Sequence, residues 1–228
     1  MTDPPDAAAT VSVRGETTIE ADPEIVLFAV SVNARARDRR EALANLSQRN
    51  DAFLGLVRSF GPAIEKTETS GVSVYPELRR GREEKVRWYR GTIRTRLTVA
   101  DFSVAGELVG RVSDLELCII DGPWWQLRPE SPVYREARVR AARAAVTRAA
   151  EYAEAVGGRL TGLIELTDTG MSGAGHPAMM SAGMAQRRPR AEAADEEPVV
   201  IDIEPETQVV QASVEARFTM TQPASLRP

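Results

Sequence analysis

The sequence predicts an α+β fold: a mostly antiparallel sheet with helices packed on one face, a long β-hairpin, and a flexible insertion before the last strand. Three observations predict it. Stretches with apolar residues at every second position are separated by stretches stepping by three and four, so both strand and helix periods are present. The strands come in hairpin-like pairs, without the strict strand–helix alternation of a parallel sheet. A length of 228 residues with 43% hydrophobic content is enough to bury a core without disulfides or metal.

The elements follow in order. Residues 1–10 hold Pro4 and Pro5 with no periodicity and read as a tail. Val11, Val13 and Ile19 keep strand spacing until Pro23 interrupts the ladder. Ile25 to Val32 is apolar on both faces, which predicts a central strand covered on both sides. Leu43, Leu46, Asn50, Phe53, Val57 and Phe60 form the stripe of a helix that Asp38 and Glu41 open and Gly61-Pro62 ends. Ile64 to Leu78 and Val86 to Val99 pair as the long hairpin, with Trp88 out of phase with Tyr89 and therefore a bulge beside it. Asp101 caps a short helix running to Val112. Leu115 to Ile120 reads as a buried strand, kinked by Asp121-Gly122-Pro123 before Trp124 and Trp125. Ser131-Pro132 starts a long helix with a small-residue face of Ala137, Ala141, Ala144, Ala145 and Ala149, joined by Tyr152. Leu160 to Leu166 is a strand. Residues 170–197 lack periodicity and read as a flexible insertion. Val199 to Ile203 reads as a short edge strand, and Val210 to Met220 alternates as the last one. No second Gly/Pro/Ser-rich linker divides the chain, so one structural unit, or one bilobed around the long hairpin, is expected over residues 11–220, with a tail at 221–228. The strands are expected to join in a single sheet.

Composition excludes several chemistries. One Cys and one His leave no disulfide framework, no multi-Cys zinc site and no His pair for a metal. No metal or cofactor is expected. The net charge of −4 gives no general attraction to nucleic acid or anionic lipid. All but two of the 29 basic residues are arginine, the exceptions being Lys66 and Lys85, a bias of composition rather than of function. No run of 18 apolar residues would span a membrane. Residues 1–10 lack the basic and apolar regions of a secretory signal, so the expectation is a cytoplasmic protein as written, or a periplasmic one if an export signal has been removed.

The individual candidates are weak. His176 lies in the loose insertion without a fixed partner to set its tautomer. Cys118, between Leu117 and Ile119, reads as a buried structural thiol. Gly170 to Gly175 is Gly-rich but no Lys-Ser/Thr follows and no helix opens after it, so it is not a phosphate loop. Asp195-Glu196-Glu197 lacks the spaced ligands of a calcium loop, and Met179, Met180 and Met184 fit a loose segment as well as a binding patch. The most suggestive cluster is the hairpin: Arg79, Arg80, Arg82, Lys85, Arg87, Arg90, Arg94 and Arg96, interleaved with Trp88 and Tyr89. Basic groups with aromatic platforms suit nucleic acid or an acidic partner. Glu77, Glu83 and Glu84 dilute the charge, which weighs against nucleic acid and toward a solvated strand face or a protein-binding surface. The candidate interaction residues are Arg87, Trp88, Tyr89, Arg90, Arg94 and Arg96.

Several stretches taken in order resemble the SIMPL-domain family. They are Val11-Ser12-Val13-Arg14-Gly15-Glu16 with Ala21-Asp22-Pro23-Glu24, then Thr69 to Pro76, then Tyr89-Arg90-Gly91 leading into Leu97-Thr98-Val99. Arg135-Glu136-Ala137-Arg138 with its Ala-rich helix and Gly157-Gly158-Arg159-Leu160 complete the series. That family includes bacterial periplasmic immunogenic proteins and a mammalian protein that associates with a Pelle-like kinase. The resemblance implies an α+β domain with a long insertion before the final strand and no established catalytic residues to carry over. The resembling family includes bacterial envelope proteins linked to oxidative-stress tolerance, some of them ring-forming, and an animal adaptor in kinase signalling; a non-enzymatic role follows from the missing catalytic constellations and from long strands whose edges need covering. The expected function is therefore an oligomeric scaffold or interaction protein, binding itself and possible protein partners. The alternative is a peptide- or nucleic-acid-binding module using the hairpin 79–96. A hydrolase with an unfamiliar site is the third reading.

Overall fold

The computed structural model describes residues 8–78, 86–172 and 201–223. Its elements, in chain order, are β1 (Ala9–Ala21), β2 (Ile25–Ala36), α1 (Arg39–Ser59), β3 (Ile64–Leu78), β4 (Val86–Val99), α2 (Ala105–Ser113), β5 (Cys118–Gln126), α3 (Pro132–Ala155), β6 (Leu160–Ser172) and β7 (Gln208–Met220). The α+β class and the antiparallel hairpin are as expected. The single sheet is not: the strands form two, a three-stranded sheet ordered β1-β7-β6 and a four-stranded sheet ordered β3-β4-β2-β5. The chain divides into two compact units, one holding β1, α3, β6 and β7, the other holding β2 to β5, α1, α2 and residues 201–206. Alternation gives each strand its faces but not its partner, so the sequence could not separate one sheet from two.

In the three-stranded unit, β7 is central and antiparallel to both neighbours. Its even-numbered residues from Val210 to Met220 are buried, as are Val13 and Ile19 of β1. They face α3, which Ser131 caps by accepting from the Val133 amide at 3.3 Å. The buried stripe of α3 is Ala137, Ala141, Ala145, Ala149 and Ala153. Tyr152, expected on that face, is exposed, because a strict four-residue step carries the stripe to Ala153. Gly15 on β1 lets the helix settle: a Cβ there would fall on the Ala141 carbonyl oxygen and the Ala145 amide nitrogen and 2.7 Å from the Ala145 Cβ.

In the four-stranded unit, β2 is central and pairs antiparallel with both β4 and β5. Val26, Phe28, Val30 and Val32 face Leu46, Phe53 and Val57 of α1, Leu108 and Val112 of α2, and Leu97 and Val99 of β4. Asp38 caps α1 by accepting from the amides of Arg40 at 2.8 Å and Glu41 at 3.1 Å, a cap worth about 1 kcal/mol. Leu43, expected in the stripe, is exposed, and Ala42 takes the buried position. Phe102 meets Trp125 edge-on with centroids 4.9 Å apart.

Three further expectations are corrected. The strand around Ile120 is not buried on both faces: Ile119 lies on the sheet face that no helix covers among the described residues and is exposed, and the strand, an edge of its sheet, continues through Gly122-Pro123 to Gln126 instead of stopping there. Residues 201–203 form no strand; Ile203 packs against the core while the Ile201 carbonyl lies against Gly106 of α2, at a distance only a glycine permits. Finally, β6 runs on to Ser172, beyond the expected end at Leu166 and into the first residues of the expected insertion. The rest of that insertion, with His176, Met179, Met180, Met184 and Asp195 to Glu197, lies outside the described residues, as do Arg79, Arg80, Arg82, Lys85 and most of both tails.

Candidate interaction site

The hairpin cluster is built by register. On β4, Gly91, Thr95, Leu97 and Val99 turn toward α1 and are buried. The alternate positions Trp88, Arg90, Thr92, Arg94, Arg96 and Thr98 stand on the other face, which no helix covers. The expected bulge is present: Glu77 opposes Trp88 and Leu78 opposes Val86, so Arg87 is the extra residue. Tyr89 is half-buried opposite Ala36 and Pro76, and therefore does not join the arginines.

The structure divides the expected arginines into two groups. Near the hairpin tip, the Glu77 carboxylate holds Arg35 and Arg90, each at 2.6 Å. Arg35 and Arg37 both lie over the Trp88 ring, at 5.0 and 5.4 Å from its centroid. The indole is already used by guanidinium groups, so it is not a free platform for a stacked base, and Arg35 and Arg90 are both tied to the one carboxylate. Arg94 and Arg96 differ. Both are exposed, and among the described residues neither enters an ion pair. Sequence reasoning missed Arg35 and Arg37, which reach the cluster from β2 only because Arg35 opposes Arg90 in the ladder. It also counted Glu77 as dilution, whereas Glu77 is the clamp.

Beside Arg96 and Arg94 on β2 are Ala29 and Ser31, and beyond them on β5 are Asp121 and Ile119. The row at one end is Thr98, Leu27 and Trp124; the row at the other is Thr92, Asn33 and Leu117. Thr92 donates to Asn33 Oδ1 at 2.9 Å, and the Asn33 amide nitrogen donates to the Leu117 carbonyl at 2.9 Å. Cys118 faces the opposite, helix-covered side of β5 and is half-buried; burial pushes its thiol pKa up, against a smaller downward pull from Arg49. A thiol held protonated is a poor nucleophile. Among the described residues, no group of three or more His, Cys, Asp or Glu side chains is placed to hold a metal ion, and no helix is long and apolar enough to cross a membrane.

A second surface belongs to the other unit. α3 lies over β1 and β7 and barely reaches β6. Leu163 and Leu166 oppose Phe218 and Ala216 and so share their inward face, yet they are 56% and 51% exposed. Arg138 of α3 reaches Met171 Sδ at 3.5 Å, which identifies the helix side nearest β6. Val146 lies two turns along that side and is 50% exposed. Sequence reading found the strand but could not see that, among the described residues, no helix covers its inner face. On the opposite edge, β1 carries Arg14, Glu16 and Glu20 at alternate positions, and the Arg148 guanidinium donates to the Arg14 carbonyl, a charged and partly engaged edge.

Comparison with known proteins places these features in a family. The model of SIMPL, described as a protein of unknown function (DUF541), matches residues 11–218. The 26 kDa periplasmic immunogenic protein of Brucella melitensis is 27% identical over 170 residues, 70% of this chain and 66% of that protein. The protein of the same name from Brucella abortus is 27% identical over the same shares. The chain thus spans just under two thirds of the length of these relatives.

Proposed function

We propose, for a chain that belongs to the SIMPL (DUF541) family, a non-enzymatic interaction protein that assembles with copies of itself across the uncovered inner face of β6. The observation that carries this reading is the half-covered sheet. Leu163 and Leu166 are placed as core residues by their register with Phe218 and Ala216, but α3 leaves them in water. Together with Val146 they form an apolar strip beside a strand edge, the kind of surface that marks an interface. A second copy turned by a two-fold axis would lay the same strip on itself. The relatives named periplasmic support a periplasmic place for this chain; a link to stress tolerance rests on family resemblance alone.

Light scattering behind size exclusion tests the assembly. At micromolar concentration the expected mass is a multiple of 24.9 kDa. Leu163→Lys with Leu166→Lys should return it to 24.9 kDa with the circular dichroism unchanged. A wild-type monomer at that concentration would contradict the reading.

A second reading, a binding module using the hairpin, is favoured by one observation: among the described residues Arg94 and Arg96 enter no ion pair while Arg90 is clamped. The acidic neighbours Glu68, Glu77 and Asp121 on the same face count against a long polyanion.

A further inference from the structure

We propose that the open face of the four-stranded sheet holds an extended peptide of a partner protein whose side chains alternate between acidic and apolar. The proposal rests on the second reading above and adds the partner's chemistry and seat. The seat is a trough over β2. Its floor is Ala29 and Ser31, small residues; Ala29, flanked in the ladder by Arg96 and Asp121, is 9% exposed and Ser31 is half-buried. One wall is Arg94 and Arg96 on β4. The other is Ile119, 56% exposed, with half-buried Trp124 beyond Asp121 on β5. The walls stand two strand spacings apart, about 10 Å, enough for one extended chain.

The walls differ in chemistry, and that selects the occupant. Arg94 and Arg96 are two residues apart on a strand, so their side chains repeat at about 7 Å. An extended peptide lying along the trough presents alternate side chains to opposite walls at the same repeat. Carboxylates at every second position meet the arginines as charge-assisted pairs. The intervening apolar side chains meet Ile119 and Trp124. Glu68, beside Arg96, opposes any acidic occupant, but a nucleic acid would also place charge along its whole length against Asp121 on the far wall, where the peptide presents its uncharged side chains.

The test is fluorescence anisotropy with a labelled decapeptide alternating Glu and Leu. Three other labelled probes accompany it: an isomer with five Glu followed by five Leu, an alternating Gln–Leu peptide, and a ten-residue oligothymidylate. The alternating Glu–Leu peptide should bind tightest. R94Q with R96Q should weaken it at least tenfold, two charge-assisted contacts being lost, on the order of 1.4 kcal/mol per tenfold. Ile119→Ser should weaken it about tenfold through the apolar wall. R39Q with R40Q, exposed arginines on α1, should leave it unchanged. All these residues are at the surface, so folding is preserved. Running the series also on the Leu163→Lys, Leu166→Lys protein separates binding from assembly. No binding of the alternating peptide, or binding indifferent to R94Q/R96Q, overturns the proposal. Tighter binding of oligothymidylate that depends on Arg94 and Arg96 would keep the hairpin as a binding module and sink the peptide.

Discussion

Replacing Gly15 by alanine is expected to destabilise the three-stranded unit by about 3 kcal/mol, the upper part of the range for overpacking. The added methyl would land on the Ala141 carbonyl and the Ala145 amide. These are backbone atoms inside a continuous helix, so no rotamer change makes room. α3 must lift, and its stripe of Ala137, Ala141, Ala145, Ala149 and Ala153 then loses contact with β1 and β7 together. In thermal unfolding this corresponds to a fall of about 10 °C for a chain of this size. Gly55→Ala is the matched control. That glycine is exposed within α1 and a Cβ there meets nothing within 4 Å. It should stabilise by up to about 1 kcal/mol through helix propensity alone. Opposite signs from the same chemical change would attribute the loss to the close approach of helix and sheet. A Gly15→Ala protein as stable as wild type would show that α3 does not sit where described.

Phe28→Ala should be as damaging in the other unit, by about 4 kcal/mol. Phe28 is wholly buried on the central strand β2, opposite Leu97 on β4. On one side the β4 ladder holds its backbone and on the other Leu27 and Ala29, to either side of it, pair with β5 across a bulge, so the site has little freedom to collapse onto the cavity. Phe28→Leu, which keeps most of the volume, should lose less than half as much. Urea denaturation followed by far-ultraviolet circular dichroism and by tryptophan emission, to which the buried Trp125 of the same core contributes, reads both changes. Equal losses for alanine and leucine would argue against a packed cavity at this position.

Much of the fold was legible because period and punctuation agree. Asp38 and Ser131 cap the helices they were expected to cap, and the β4 bulge falls at Arg87, beside the phase break at Trp88. What was not legible depends on pairing at long range. Ile25 to Val32 was read correctly as central but not as covered on both sides, since no described helix covers the face of Leu27, Ala29 and Ser31; the apolar run near Ile120 looks the same in sequence and is an edge, because its place is set by a ladder to β2 and not by its own residues. The same limit hid the site. The alternation on β4 separated Arg90, Arg94 and Arg96 from the core face. Only register reveals that Arg90 is clamped by Glu77, that Arg35 and Arg37 stack on Trp88, and that Arg94 and Arg96, beside Ala29 and Ser31, enter no ion pair among the described residues. Nor can a strand sequence report that its helix stops short, which is what leaves Leu163 and Leu166 uncovered.

Hydrogen exchange over residues 160–172, followed by mass spectrometry across a dilution series, addresses the β6 surface itself. If copies of the chain cover this strand, its amides exchange slowly at micromolar concentration and faster at nanomolar, while those of β1 hold their rate. Exchange at β6 that ignores concentration would mean the strip stays bare, and the case for self-association through it would fall.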